Sequence, residues 1–143
     1  MSLVFLLGGC KNMEIKELES FAFSYTTGNA MDASVSYELR LDDGVYTAVI
    51  KDDGVPLEEA DIIETDQAFA DRLAAFLHEN KVERWNGFKK VNWRVLDGKS
   101  FSLALSTKDG KSLSAHGYMR WPKQYKEVKA GIENLFNTLR EEK

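Results

Sequence analysis

The sequence predicts an α+β domain: a single antiparallel β-sheet of about five to six strands with two helices packed on one face, in the order β-β-β-(β)-α-β-β-α. Three observations predict it. Apolar residues alternate with polar ones in several short stretches separated by Asp-Gly turns. Two other stretches place their apolar residues at helical spacing. Strands come in runs, with a helix after each run, which favours antiparallel pairing and helices segregated to one side.

The elements follow in order. Phe21, Phe23 and Tyr25 alternate with Ala22, Ser24 and Thr26, giving a first strand. Val35, Tyr37, Leu39 and Leu41 alternate with polar neighbours and give a second. Asp42-Asp43-Gly44 turns the chain, and Val45 to Ile50 returns as a third strand. Lys51-Asp52-Asp53-Gly54 is another turn, Pro56 discourages ladder pairing, and Ala60 to Ile63 is expected as a short edge strand. Neither Asp-rich turn has the ligand spacing of a calcium loop. Thr65 is the expected N-cap of a first helix, with Phe69, Leu73, Phe76 and Leu77 as its apolar stripe to about Asn80. His78 is expected on the exposed side of its last turn. Phe101, Leu103 and Leu105, then Leu113 and Ala115, alternate with Ser and Ala around Asp109-Gly110, a hairpin signature. Pro122 suits the first turn of a second helix. Its stripe is Tyr125, Val128, Ile132, Leu135, Phe136 and Leu139. Gly131 inside that helix costs about 1 kcal/mol relative to alanine, and close approach to the sheet is the expected reason. The sheet face turned away from the helices would carry Ser24, Ser34, Ser36, Ser102, Ser106, Ser112, Ser114 and His116.

At 143 residues the chain fits one domain with a proper core. An apolar fraction of 43% and a net charge of -4 argue against general disorder. No run reaches the roughly 18 apolar residues that span a bilayer. One cysteine excludes an internal disulfide, and with two scattered histidines there is no metal-ligand spacing, so neither metal nor cofactor is expected. Charge is segregated. Residues 11–80 carry 5 basic and 16 acidic side chains, whereas residues 81–126 carry 11 basic and 3 acidic. Such a distribution fits an anion-binding region, or acidic strands paired with basic loops in one fold.

Val4-Phe5-Leu6-Leu7-Gly8-Gly9-Cys10-Lys11 resembles the end of a bacterial lipoprotein signal peptide, with Leu7-Gly8-Gly9-Cys10 as the lipobox. In that family the cysteine thiol is lipidated and the chain is cleaved just before it. The resemblance implies residues 1–12 as signal remnant and tether, 13–143 as the folded domain, and a membrane attachment through Cys10. It places the protein in the cell envelope, on the periplasmic or extracellular face. The alternative is an ordinary strand at Val4–Leu7 and a buried thiol at Cys10.

All three tryptophans fall between residues 85 and 121. Residues 82–98 show no period and read as a long loop, a common place for function. Trp85, Lys89, Lys90, Trp93 and Arg94 lie in it, and Tyr118, Arg120 and Trp121 stand at the far end of the hairpin. Aromatic faces beside Arg and Lys stack on rings and hold anions, which suits an anionic small ligand or an acidic envelope protein. The competing reading is that these aromatics pin the loop to the core. Nucleic acid could use the same chemistry, but an envelope location argues against it. Trp85-Asn86-Gly87-Phe88, and Gly117 through Pro122 to Tyr125, resemble a "W-x-G-F" loop and a "G-x-x-x-x-P-x-x-Y" segment of uncharacterised bacterial lipoproteins. That resemblance implies kinship of fold and no reaction.

A catalytic role is not expected. There is no Gly-x-Ser-x-Gly elbow, no phosphate-cradling Gly-rich loop, and no partner placed beside either histidine. The expected function is a non-catalytic binding or structural role in a lipid-anchored envelope domain, with the site in loop 82–98. A secreted or periplasmic inhibitor-like module is the alternative. A weak carboxylate-dependent hydrolase is the third reading.

Overall fold

The computed structural model describes residues 13–95 and 98–142; the expected signal remnant and tether at residues 1–12, with the expected lipobox Leu7-Gly8-Gly9-Cys10, lies outside them. The chain forms β1 (Leu18–Thr26), β2 (Ser34–Asp42), β3 (Val45–Lys51), β4 (Asp61–Thr65), α1 (Gln67–Glu79), β5 (Lys89–Val91), β6 (Ser100–Thr107), β7 (Ser112–Tyr118) and α2 (Tyr125–Glu141). The strands join in one sheet in the order β4-β3-β2-β1-β6-β7-β5. This is the expected α+β architecture with two differences. The sheet has seven strands, and it is mixed, because β5 pairs with β7 in parallel. Residues 82–98 are therefore not one open loop: Val82–Trp85 is a 3-10 turn and Lys89–Val91 is an edge strand.

Alternation in sequence becomes two faces in space. Phe21, Tyr37, Leu103 and Leu113 are buried beneath the helices. Phe136 of α2 sits at the centre of this core, with ring centroids 5.2 Å from Phe69, 5.3 Å from Tyr37 and 6.0 Å from Phe21. Burying such a side chain contributes roughly 2–3 kcal/mol. The opposite face is solvated. Cross-strand register there aligns Ser36, Ser24, Ser102 and His116 in one row, and Arg40, Ser20, Ser106 and Ser112 in another.

Turn chemistry sets the hairpins. Asp43 and Gly44 both take positive φ, the two-residue connection that matches strand twist. At the β3 end, Lys51 is buried although charged. Its Nζ donates to the carbonyls of Asp32, Ser34 and Asp52 at 2.9, 2.6 and 3.3 Å, which ties the 27–33 loop to the sheet.

Three local expectations are corrected. Asp66, not Thr65, caps α1: its carboxylate accepts from the Phe69 N–H at 3.0 Å. A carboxylate there also meets the positive helix end. Pro122 lies in the turn before α2 rather than in its first turn, and Gln124, at φ 65°, leads into the helix. Gly131 does permit a close approach, but of α1 rather than the sheet. A Cβ there would stand 1.9 Å from Cζ of Phe76.

The charge segregation acquires a geometry. The acidic part of the sequence builds α1 and β1 to β4, the latter forming one half of the sheet. The basic part builds β5 to β7, the other half, and the turn into α2.

Candidate functional site

Gly117 starts the construction of the site. A Cβ there would meet the Arg120 carbonyl oxygen at 2.1 Å, so only glycine lets the chain fold back after β7. That reversal, with Met119 at φ 54°, delivers Trp121 and Pro122 to the sheet end where β1 stops and β6 begins. Two clefts open there, and Trp121, Pro122 and Gln124 form the wall between them.

The first cleft has a volume of about 680 Å³. β1 supplies Tyr25 and Thr26, the entry to β6 supplies Lys99 and Ser100, and the first two turns of α2 supply Tyr125, Lys126 and Lys129. Tyr25 is fixed as a wall. Its hydroxyl donates to Glu133, and Lys129 Nζ lies 4.4 Å from its ring centroid and 3.5 Å from Glu133 Oε1. Tyr37 donates to the same carboxylate at 3.5 Å. Burial, then the negative charge of Glu133, pushes the Tyr37 hydroxyl up to about 12. Burial, then the hydrogen bond to Glu133, holds the Tyr25 hydroxyl above its ordinary value as well. Burial does the same to Tyr125. All three phenols therefore stay neutral at physiological pH and act as hydrogen-bonding, ring-stacking walls.

The second cleft, about 570 Å³, is lined by Lys81, Arg84, Lys90 and Lys123 around Trp85 and Phe88. Trp85 is its floor. It is 3% exposed, stacks on Tyr125 at 6.1 Å, and donates Nε1–H to the Lys123 carbonyl at 3.1 Å. Lys90 Nζ stands 5.6 Å from the Phe88 ring.

The expected site residues thus separate into three places. Trp85, Lys90 and Trp121 meet at the second cleft. Trp93, Arg94 and Arg120 border a shallow hollow beyond β5, where Trp93 is 85% exposed. Lys89 and Tyr118 lie in register with the solvated sheet face, beside His116 and Ser100. The Tyr118 hydroxyl accepts from the Gly98 N–H at 2.7 Å. Tyr25, Lys99, Lys126 and Lys129 were not singled out in the sequence. They lie far apart in the chain: the β1–β6 pairing brings Lys99 to Tyr25, and the packing of α2 adds Lys126 and Lys129. The one hint was Tyr25 itself, a large ring at the last core-facing position of β1.

Among the described residues, no group of three His, Cys, Asp or Glu lies together in a way that would hold a metal ion. No described helix is long and apolar enough to cross a membrane. Compared with protein-family models, curated proteins and solved structures, the chain has no match.

Proposed function

We propose that this chain is a lipid-anchored envelope domain that binds a small ligand, without catalysing its conversion, in the first cleft. The ligand is an amphipathic anion: an apolar or planar body lies between Tyr25, Trp121 and Tyr125, and its negative group meets Lys99 or Lys126. The observation that carries this reading is the meeting of three aromatic walls with Lys99 and Lys126 in one 680 Å³ space, against the single carboxylate of Glu127 at its lining. Glu133 is paired with Lys129 and accepts from two tyrosine hydroxyls, which leaves Lys99 and Lys126, neither in an ion pair among the described residues, to meet the anion.

Calorimetric titration with 2-naphthoate and with neutral 2-naphthamide tests the reading. The acid is expected to bind about tenfold more tightly, the worth of one charge-assisted contact. Equal affinities, or no saturable heat from either, refute it. Attachment through Cys10 is tested separately, by mass spectrometry of the full-length protein from a bacterial host; an unmodified thiol ends that part.

A second reading, the inhibitor-like protein-binding module, draws on Trp93. A tryptophan 85% exposed beside Arg94 and Arg120 is the composition of an interface hot spot.

A further inference from the structure

We infer that the second cleft is the seat of an anionic phospholipid bilayer: Lys81, Arg84, Lys90 and Lys123 hold lipid phosphates while Trp121 rests at head-group depth. It shares the Trp121 wall with the first cleft but has its own cations, and its orientation rests on the Cys10 attachment proposed above rather than on what the first cleft binds.

Charge comes first. Four cationic side chains line this cleft and no carboxylate does. Among the described residues none of the four is ion-paired; the salt bridges involve other side chains. Four unneutralised cations in one hollow create a local field that attracts a surface of opposite sign. A free anion would satisfy one or two of them, whereas the closely spaced phosphates of a leaflet satisfy all four.

The aromatic rim selects a bilayer over other polyanions. Trp121 is 42% exposed on the wall of the cleft, and Trp85 and Phe88 line it beneath; Trp93 belongs to the separate hollow beyond β5. Indole rings prefer the boundary between water and hydrocarbon. Lysine and arginine beside them place their apolar stems against lipid and their charges among head groups.

The path of the chain agrees. The described fold begins at Met13, in a hollow bordered by Lys81 and Arg84, the same two residues that open the second cleft. The Ile15 N–H donates to Glu83 Oε2 at 3.1 Å and fixes that entry. Glu14 and Glu79 border this neighbouring hollow, and Glu83 there is bound to His78, so the acidic groups lie behind the basic rim rather than in the cleft. A chain anchored just before Met13 would present this side to the membrane. A lipid anchor and a basic patch on the same side of the fold add their membrane affinities.

The test uses the full chain with Cys10 unmodified, so that only the protein surface acts. Partition is measured by co-sedimentation with vesicles of phosphatidylcholine and phosphatidylglycerol at 70:30, and with phosphatidylcholine alone. Binding is expected only to the anionic vesicles and is expected to vanish at 0.5 M salt. Each basic residue removed should lower partition about fivefold, so Lys90→Ala with Lys123→Ala should lower it about 25-fold. Arg40→Ala with Arg72→Ala makes the same change in net charge away from this cleft and should leave partition within about twofold. Lys81→Ala with Arg84→Ala serves as the second cleft variant if the first fails to fold by circular dichroism. Equal binding to both vesicles, equal loss in the control pair, or binding of a single-stranded oligonucleotide without vesicle binding overturns the proposal.

Discussion

Replacing Gly131 with alanine sets two physical effects against each other. Helix propensity alone predicts that the change stabilises α2 by about 1 kcal/mol. The packing predicts the reverse. A Cβ at this position would lie 1.9, 2.4 and 2.6 Å from three carbons of the Phe76 ring. Ordinary carbon contact is about 3.5 Å, so the nearest atom must retreat by roughly 1.6 Å. Either the half-buried Phe76 ring leaves its place on α1 or the helices separate. Forced overpacking of this kind costs about 1–3 kcal/mol. The net expectation is a loss of about 1 kcal/mol, read as a fall of about 3–5 °C in Tm or a lower urea midpoint by tryptophan fluorescence. Phe76→Ala should cost about 2 kcal/mol in the native background. The double variant should be less destabilised than the sum of the two by at least about 1 kcal/mol, because the new methyl enters the space the ring vacates. A Gly131→Ala protein that melts higher than the native chain refutes the helix contact.

Two further outcomes follow from single side chains. Lys51→Met leaves three carbonyls without their shared donor and should cost about 2 kcal/mol; it should also speed amide exchange at Gly54, whose N–H donates to the Asp32 carbonyl. Unchanged exchange there would mean the loop is held by something else. The His78 imidazole is held above its ordinary value, first by its hydrogen bond to Glu83 and then by that carboxylate's charge. The folded state therefore binds this proton more tightly than the unfolded chain. Its stabilisation is fully present below about pH 6.5 and is lost as pH rises through the folded value. The difference in urea midpoint between native and His78→Gln proteins should be larger at pH 5.5 than at pH 8.5. An equal difference at both would remove the pair from the account.

Much of the fold was legible because two periods are hard to mistake. Phe21, Phe23 and Tyr25 alternate, and Val128, Ile132, Phe136 and Leu139 recur at helical spacing; each set lies on the helix-facing side of the sheet. β5 was not legible. Lys89, Lys90 and Val91 are all exposed and have no inward face to leave a pattern, and their parallel pairing with β7 depends on where the fold puts them. The helix cap was ambiguous because Thr65 and Asp66 can both cap; Thr65 is spent as the last residue of β4. For the site, sequence identified the right kind of residue but not its role. The three tryptophans look alike in the chain, yet one is a floor, one a wall and one a bare surface ring. What separates them is Gly117, whose missing Cβ allows the turn that brings Trp121 to the cleft Trp85 lines. The lysines of the first cleft gave no local sign, since Lys99 and Lys129 are neighbours only through β1 and α2.

The central claim is that the space between Tyr25, Trp121 and α2 receives an anion with an apolar body. Amide chemical-shift mapping of the isotopically labelled protein during titration with 2-naphthoate tests it most directly. Shifts are expected at Thr26 and Thr27, at Lys99 and Ser100, and from Trp121 to Lys126, saturating together with one dissociation constant. Shifts centred on Trp93 and Arg94, or small changes scattered over the serine face of the sheet, would contradict it.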